Sequence, residues 1–161
     1  MAVTTRAAAG ADIPHLIALM REFYGEANYA LDDAWASAAF AALLRDGRDG
    51  SAWLAFEGGV PAGYTVLTVR FSMEFGGRDG FIDDLFVRAA SRRRGVASAL
   101  LAATLGGCES RGLRALHVET AATNLAAVSL YRLFGLADRQ RLLLTRRLDD
   151  RRETALSADP S

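Results

Sequence analysis

The stretch from Phe81 to Leu101, FIDDLFVRAASRRRGVASALL, constrains this chain more than any other. Its first residues, Phe81–Val87, are β-formers bounded by turn residues and read as a strong strand. A basic turn runs from Arg88 to Arg94, Gly95 follows, and Val96–Arg111 then carries a helical pattern with Leu100, Leu101, Ala103 and Leu105 as its apolar surface. A strand that feeds a helix through such a turn aims unpaired N–H groups and the positive end of the helix dipole at the turn, an arrangement suited to phosphate. Gly95 and Ala97 carry too little side chain to block an anion from the backbone. Arg92, Arg93 and Arg94 add charge and forked donors. The dinucleotide fingerprint and the lysine-ended phosphate loop are both absent. Taken alone, the turn also reads as a solvated basic loop, so the flanking segments must decide.

Those segments alternate in period. Ala2–Ala8 reads as a short edge strand. Asp12 as N-cap and Pro14 in the first turn start a helix carrying Leu16, Ile17, Leu19, Met20 and Phe23. Asp32 or Asp33 caps a second helix with Trp35, Phe40, Leu43 and Leu44, ending near Gly47. Ser51–Phe56 and Ala62–Phe71 read as strands joined at Glu57–Pro61. A polar, glycine-rich loop is expected over Met73–Gly80, a strand over Leu113–Thr120, a helix over Asn124–Phe134 stopped by Gly135, and a last strand over Arg139–Leu148. Gly106 and Gly107 weaken the centre of the helix after the basic turn. Charged and small residues from Asp149 onward predict a frayed tail. No repeat or linker interrupts this order, which makes one mixed α/β domain over 1–148 and a flexible tail over 149–161.

Composition excludes several alternatives. A chain 51% hydrophobic and 24% charged is globular rather than disordered. A formal net charge of zero argues against a nucleic-acid partner. No segment is long and apolar enough for a membrane, and the N-terminus lacks a signal-peptide layout. The single Cys108 precludes an internal disulfide and favours a reducing compartment, so a cytoplasmic location is expected. In a helical pattern Cys108 reads as a small buried hydrophobe.

Arg92-x-x-Gly95-x-Ala97, preceded by Asp83–Val87, resembles the acyl-CoA motif of the GNAT superfamily of N-acetyltransferases. Asn124–Leu136, with Tyr131 seven residues after Asn124 and then Gly135, resembles the family's second signature, and Leu116–Glu119 falls where the family places its fifth strand. The resemblance implies a single-domain α/β (α+β) fold, with a mixed central sheet of about six to seven strands and about four flanking helices. It implies acetyl-CoA as cosubstrate, no metal, and direct transfer to an amine in a ternary complex. The main chain of Leu85, Phe86 and Val87 is then expected to pair with the pantetheine arm or support the oxyanion. Arg92, Arg93, Arg94, Gly95, Val96, Ala97 and Ser98 are expected to hold the pyrophosphate, and Asn124 the pantetheine. Tyr131 is the expected acid for the leaving sulfur.

For the base, Asp83 leads, with Glu119 and Asp84 as the other carboxylates, and His117 is expected to be structural. Strict strand alternation places Asp83 with Leu85 and Val87 on one face and Asp84 with Phe86 on the other. Tyr24, Glu26, Tyr29, Glu74 and Phe75 are expected to meet the substrate, since acidic and aromatic groups together suit a cationic amine. The expected acceptor is a small molecule such as a polyamine, an aminoglycoside or an amino-acid-like amine. A protein N-terminus or lysine, and a non-catalytic acetyl-CoA-binding module, stand as alternatives. Leu142–Leu144 is apolar enough to serve a homodimer through a sheet edge.

Overall fold

The computed structural model describes residues 2–149. Five strands form one sheet in sequence order: β1 (Val3–Ala7), β2 (Gly50–Glu57), β3 (Val60–Ser72), β4 (Gly77–Val87) and β5 (Leu116–Val118). The first four are antiparallel and β5 joins β4 in parallel. Helices α1 (Ile13–Glu26) and α2 (Asp33–Leu44) lie on one face, and α3 (Val96–Ser110) and α4 (Leu125–Leu133) on the other.

Alternation along the strands builds the two halves of the core. Ala52, Leu54, Tyr64, Val66 and Phe86 pack under α1 and α2 against Leu16, Leu19, Met20, Ala36 and Phe40. Trp53, Ala55, Ala62, Leu67 and Val87 pack under α3 against Val96, Leu100 and Cys108. Gly107, a poor helix former, earns its place by proximity: a Cβ built there would lie 2.4 Å from Cζ2 of Trp53. Cys108 is buried and free, as a small hydrophobe would be.

Several elements differ from their sequence expectation, each for a local reason. The sheet has five strands among the described residues, not six or seven, because residues 137–148 form no ladder. The strand edge they would need, β5, is three residues long instead of spanning Leu113–Thr120, and Gln140 at φ 53° leaves the extended region. Side-chain ion pairs hold this segment instead: Arg139 and Arg141 reach Glu74 at 3.1 and 2.8 Å. The loop expected over Met73–Gly80 shrinks to a turn over 73–76, since β4 already begins at Gly77. Gly77 and Gly80 hide the strand pattern there, and the cross-strand pair Arg70–Asp79 supplies what they lack. Asp12 occupies the N-cap position of α1, but its carboxylate accepts from Ala9 N–H (2.8 Å) and from both arms of Arg6 (2.7 Å each) rather than from the helix. For α2 the cap is Asp32, accepting from Trp35 N–H at 3.0 Å. No helix among the described residues is long and apolar enough to cross a membrane. The expected tail, apart from Asp149, lies outside the described residues.

Candidate active site

The parallel ladder between β4 and β5 has only three rungs, Gly80–Leu116, Phe81–His117 and Ile82–Val118. Past Ile82 the strands part, and the β5-facing backbone groups of β4 from Asp83 to Val87 have no strand partner. This fork is the centre of the site, because unpaired strand groups can take up an extended ligand as an added strand.

On the α3/α4 side, Tyr131 is buried against Leu101 of α3 and against Ile82, the β4 residue at the base of the fork. Burial raises its phenol above the ordinary value. Its hydroxyl makes no hydrogen bond among the described residues, yet it is not sealed from solvent. The α4 helix that carries it is capped by Asn124, whose Oδ1 accepts from Ala127 N–H at 3.2 Å. That leaves the Asn124 amide donors for another partner.

The basic turn sits beside the fork. The first bond of α3 runs from Ala99 N–H to Gly95 O at 2.9 Å, leaving the amides of Val96, Ala97 and Ser98 without helical acceptors. Arg93 and Gly95 have φ of 63° and 84°, a left-handed alternation that turns successive N–H groups toward a common concavity. A Cβ built on Gly95 meets nothing within 4 Å, so open space lies against this backbone. The residues therefore fit a diphosphate.

The arginines divide their work differently from the expectation. Arg92 does not present its guanidinium to that space: Nε donates to Val87 O (3.0 Å) and Nη2 to Glu26 (2.5 Å). Arg88 does the same with Glu22 (2.7 Å) and Pro61 O (2.6 Å). Both clasp the turn to α1 or β3. Arg94 lies 3.8 Å from Glu57, and Arg93 has no ion pair among the described residues. A diphosphate placed here would therefore meet main-chain amides and Arg93 rather than three guanidinium groups.

On the α1/α2 side, a cavity of about 190 Å³ opens between the two helices and the sheet. Tyr24, Trp35, Phe40, Thr68, Asp83 and Asp84 are among its lining residues. Both aspartates reach it because β4 carries a bulge. Val66 pairs with Asp84 and Leu67 with Ile82, so Asp83 is an extra residue. A bulge suspends alternation, which is why two consecutive side chains meet one cavity instead of opposite faces.

Asp84 is half-buried and accepts from the Tyr64 hydroxyl at 2.9 Å. Burial raises its carboxyl to about 6, against the pull of the Tyr64 hydrogen bond and with a smaller push from Asp83. Asp83 is more exposed, and partial burial pushes it up as well. Burial, with the two aspartates behind it, drives the Tyr24 phenol up to about 12. The cavity is therefore acidic and aromatic, with one carboxylate tuned toward neutrality.

Of the expected substrate residues, only Tyr24 lines this cavity. Glu26 is spent on Arg92, Glu74 on Arg139 and Arg141, Phe75 packs on His117 at 5.6 Å, and Tyr29 lies outside the lining. Glu119 is exposed just beyond β5 and lines no part of the cavity. The sequence reading missed Tyr64 and Thr68, which look like ordinary strand residues, and ranked Asp84 behind Asp83. Asp84 stands on the Phe86 side as alternation expects, whereas the bulge that brings Asp83 to the same cavity is announced by no pattern of apolar residues. Among the described residues no cluster of three or more His, Cys, Asp or Glu could hold a metal.

Comparison with known proteins agrees with this geometry. No curated protein matches the chain. An integron cassette protein from the mobile metagenome of Cole Harbour Salt Marsh is 43% identical over 90% of each chain, with a TM-score of 0.83. A possible acetyltransferase from Clostridium difficile 630 shares the fold at 16% identity, with a TM-score of 0.79 over 92% of this chain and 99% of that one. An aminoglycoside N-acetyltransferase solved in complex with CoA also shares it, at 20% identity, with a TM-score of 0.79 over 92% and 96%. The sequence matches the Acetyltransferase (GNAT) family over residues 15–136. With that match spanning most of the fold and both halves of the fork, this chain belongs to the GNAT acetyltransferase family.

Proposed function

We propose that the protein transfers the acetyl group of acetyl-CoA directly to a primary amine of a small cationic molecule. The observation that carries this reading is the pairing of Asp83 and Asp84 in one small aromatic cavity beside the fork. Acidic and aromatic walls attract an ammonium group, and a narrow cavity admits an aminoalkyl arm more readily than a folded peptide. Acetyl-CoA is read as entering from the α3/α4 side, its diphosphate on the amides of residues 93–98 and its pantetheine arm along Leu85–Val87.

An ammonium group cannot attack a thioester until it loses a proton. Asp84, with a carboxyl near 6 and a Tyr64 hydrogen bond fixing its orientation, is the better-placed acceptor of that proton. Asp83, nearer solvent, holds the cation and passes the proton outward. A backbone N–H of Leu85 or Phe86 supports the carbonyl oxygen while it is negative. Tyr131, whose hydroxyl has no other partner among the described residues, protonates the departing thiolate. Bringing amine and thioester together at the fork supplies much of the acceleration.

Free-thiol release from acetyl-CoA over a panel of polyamines, aminoglycosides, amino acids and peptides tests the reading. Turnover with small cationic amines is expected. Turnover with peptides alone would transfer the protein to the class that modifies polypeptides, and saturable acetyl-CoA binding without any turnover would make it a non-catalytic sensor.

A further inference from the structure

A second group of titratable side chains lies on the acceptor face, outside the cavity. The register pairs Thr68 with Phe81 and Phe81 with His117, so His117 stands on the same face as Thr68, which lines the cavity. It also sits one rung before the fork opens. Its Nε2 lies 2.9 Å from Oδ2 of Asp79, a carboxylate with no exposed surface. Arg70 donates to the same carboxylate through Nε (2.8 Å) and Nη2 (3.1 Å).

That double clasp already neutralises Asp79, so the imidazole is not needed to satisfy it. What Asp79 does for His117 is more specific. A bond from Nε2–H to the carboxylate fixes the tautomer and leaves Nδ1 as an acceptor. The same bond holds the ring in one orientation while Nδ1 takes and returns a proton. The ring packs against Phe75 (5.6 Å) and Phe81 (6.1 Å) and its side chain keeps 27% of its surface exposed. The charged groups facing it are Arg70 from β3, Glu74 from the β3–β4 turn and Asp79 from β4, with Arg139 and Arg141 behind Glu74.

We infer that His117, held by Asp79, is a second proton-handling residue of the acceptor site; the inference rests on the acetyl-transfer reading above. An ammonium nitrogen loses two protons on its way to an amide. The first leaves before the lone pair attacks and goes to Asp84. The second leaves after the C–N bond has formed, when the nitrogen again carries positive charge. It passes through a water to Nδ1 of His117. The C–S bond then breaks, the carbonyl re-forms, and the thiolate takes a proton from Tyr131, which recovers its own from solvent. Asp84 and His117 return their protons to solvent, so one proton is released per turnover.

The test compares His117→Gln, which keeps an amide donor toward Asp79, with His117→Ala, both with an amine that the wild-type enzyme acetylates. His117→Gln is expected to lower kcat by about 10- to 100-fold with little change in acetyl-CoA KM or melting temperature. Free imidazole is expected to restore part of the His117→Ala rate and none of the wild-type rate. A folded His117→Gln variant with wild-type kcat overturns the inference. So does a slow His117→Ala variant that melts early and ignores imidazole, since the residue is then structural only. Absence of thiol release by the wild-type enzyme with every amine strikes at the acetyl-transfer reading instead, a result that the variants cannot produce.

Discussion

Asp84 carries a carboxyl raised to about 6 in a cavity that it shares with Asp83 and Thr68 and whose remaining walls are aromatic or aliphatic. As a base it must be ionised to act, so kcat/KM is expected to fall as pH drops through about 6. Asp84→Asn is expected to abolish that acidic limb and lower kcat/KM by about 100-fold or more, read from a pH profile of thiol release. Asn still accepts from Tyr64, so a loss of this size would come from proton transfer and not from a broken hydrogen bond. Tyr131→Phe makes a complementary case. It removes only a hydroxyl that has no partner among the described residues, and kcat is expected to fall at least 10-fold while acetyl-CoA affinity holds. Unchanged kcat would release Tyr131 from the acid role. In the sequence Tyr131 was singled out by its distance from Asn124, and the structure packs it against Ile82, the last rung before the fork. That Asp83 and Asp84 share one cavity was not legible, because alternation assigns them to opposite faces and a bulge is a property of two strands together.

Among the elements, the turn before α3 was the most legible and was still misread in part. Gly95 at φ 84° and the bare amides that follow it match the expectation from a glycine at a helix entrance. The arginines do not, because Arg92 is drawn to Glu26, a residue more than sixty positions earlier that no local pattern connects to it. Gly95→Val is expected to weaken acetyl-CoA binding by about 10-fold or more in calorimetry, since a β-branched residue resists a left-handed backbone. Gly107 gives the opposite kind of lesson. Ala is normally favoured over Gly inside a helix, yet Gly107→Ala is expected to destabilise the fold by about 1–3 kcal/mol in chemical denaturation, because its methyl would press on Trp53. An unchanged or raised midpoint would mean that Trp53 can shift. The missing last strand shows where sequence patterning stops: residues 139–148 have strand-like composition, but a strand also needs an edge to pair with.

For the molecule as a whole, the fold class followed from the order of periods along the chain, and the two faces of the sheet were implied by the alternation in β2 and β3. How the faces communicate was not, since it depends on how early β4 and β5 part. The acidic cavity also leaves a mark on global stability. A carboxyl whose folded value lies above its unfolded one binds its proton more tightly when folded, so Asp84 favours the fold at low pH and costs stability once ionised. Asp84→Asn is therefore expected to raise the melting temperature by a few degrees at pH 8. The gain should shrink as pH falls through about 6 and vanish near the ordinary carboxylate range. A pH-independent difference would point to altered packing.

The bulge at Asp83 has one more implication. Its flanks, Ile82 opposite Leu67 and Asp84 opposite Val66, already satisfy the register of an unbroken antiparallel ladder. The extra residue is thus a removable insert: excising Asp83 should let β4 close up without re-phasing either end of the strand. Such a shortened protein is expected to keep its grip on coenzyme A while its tolerance for amines narrows, making acceptor choice adjustable through chain length at a single point.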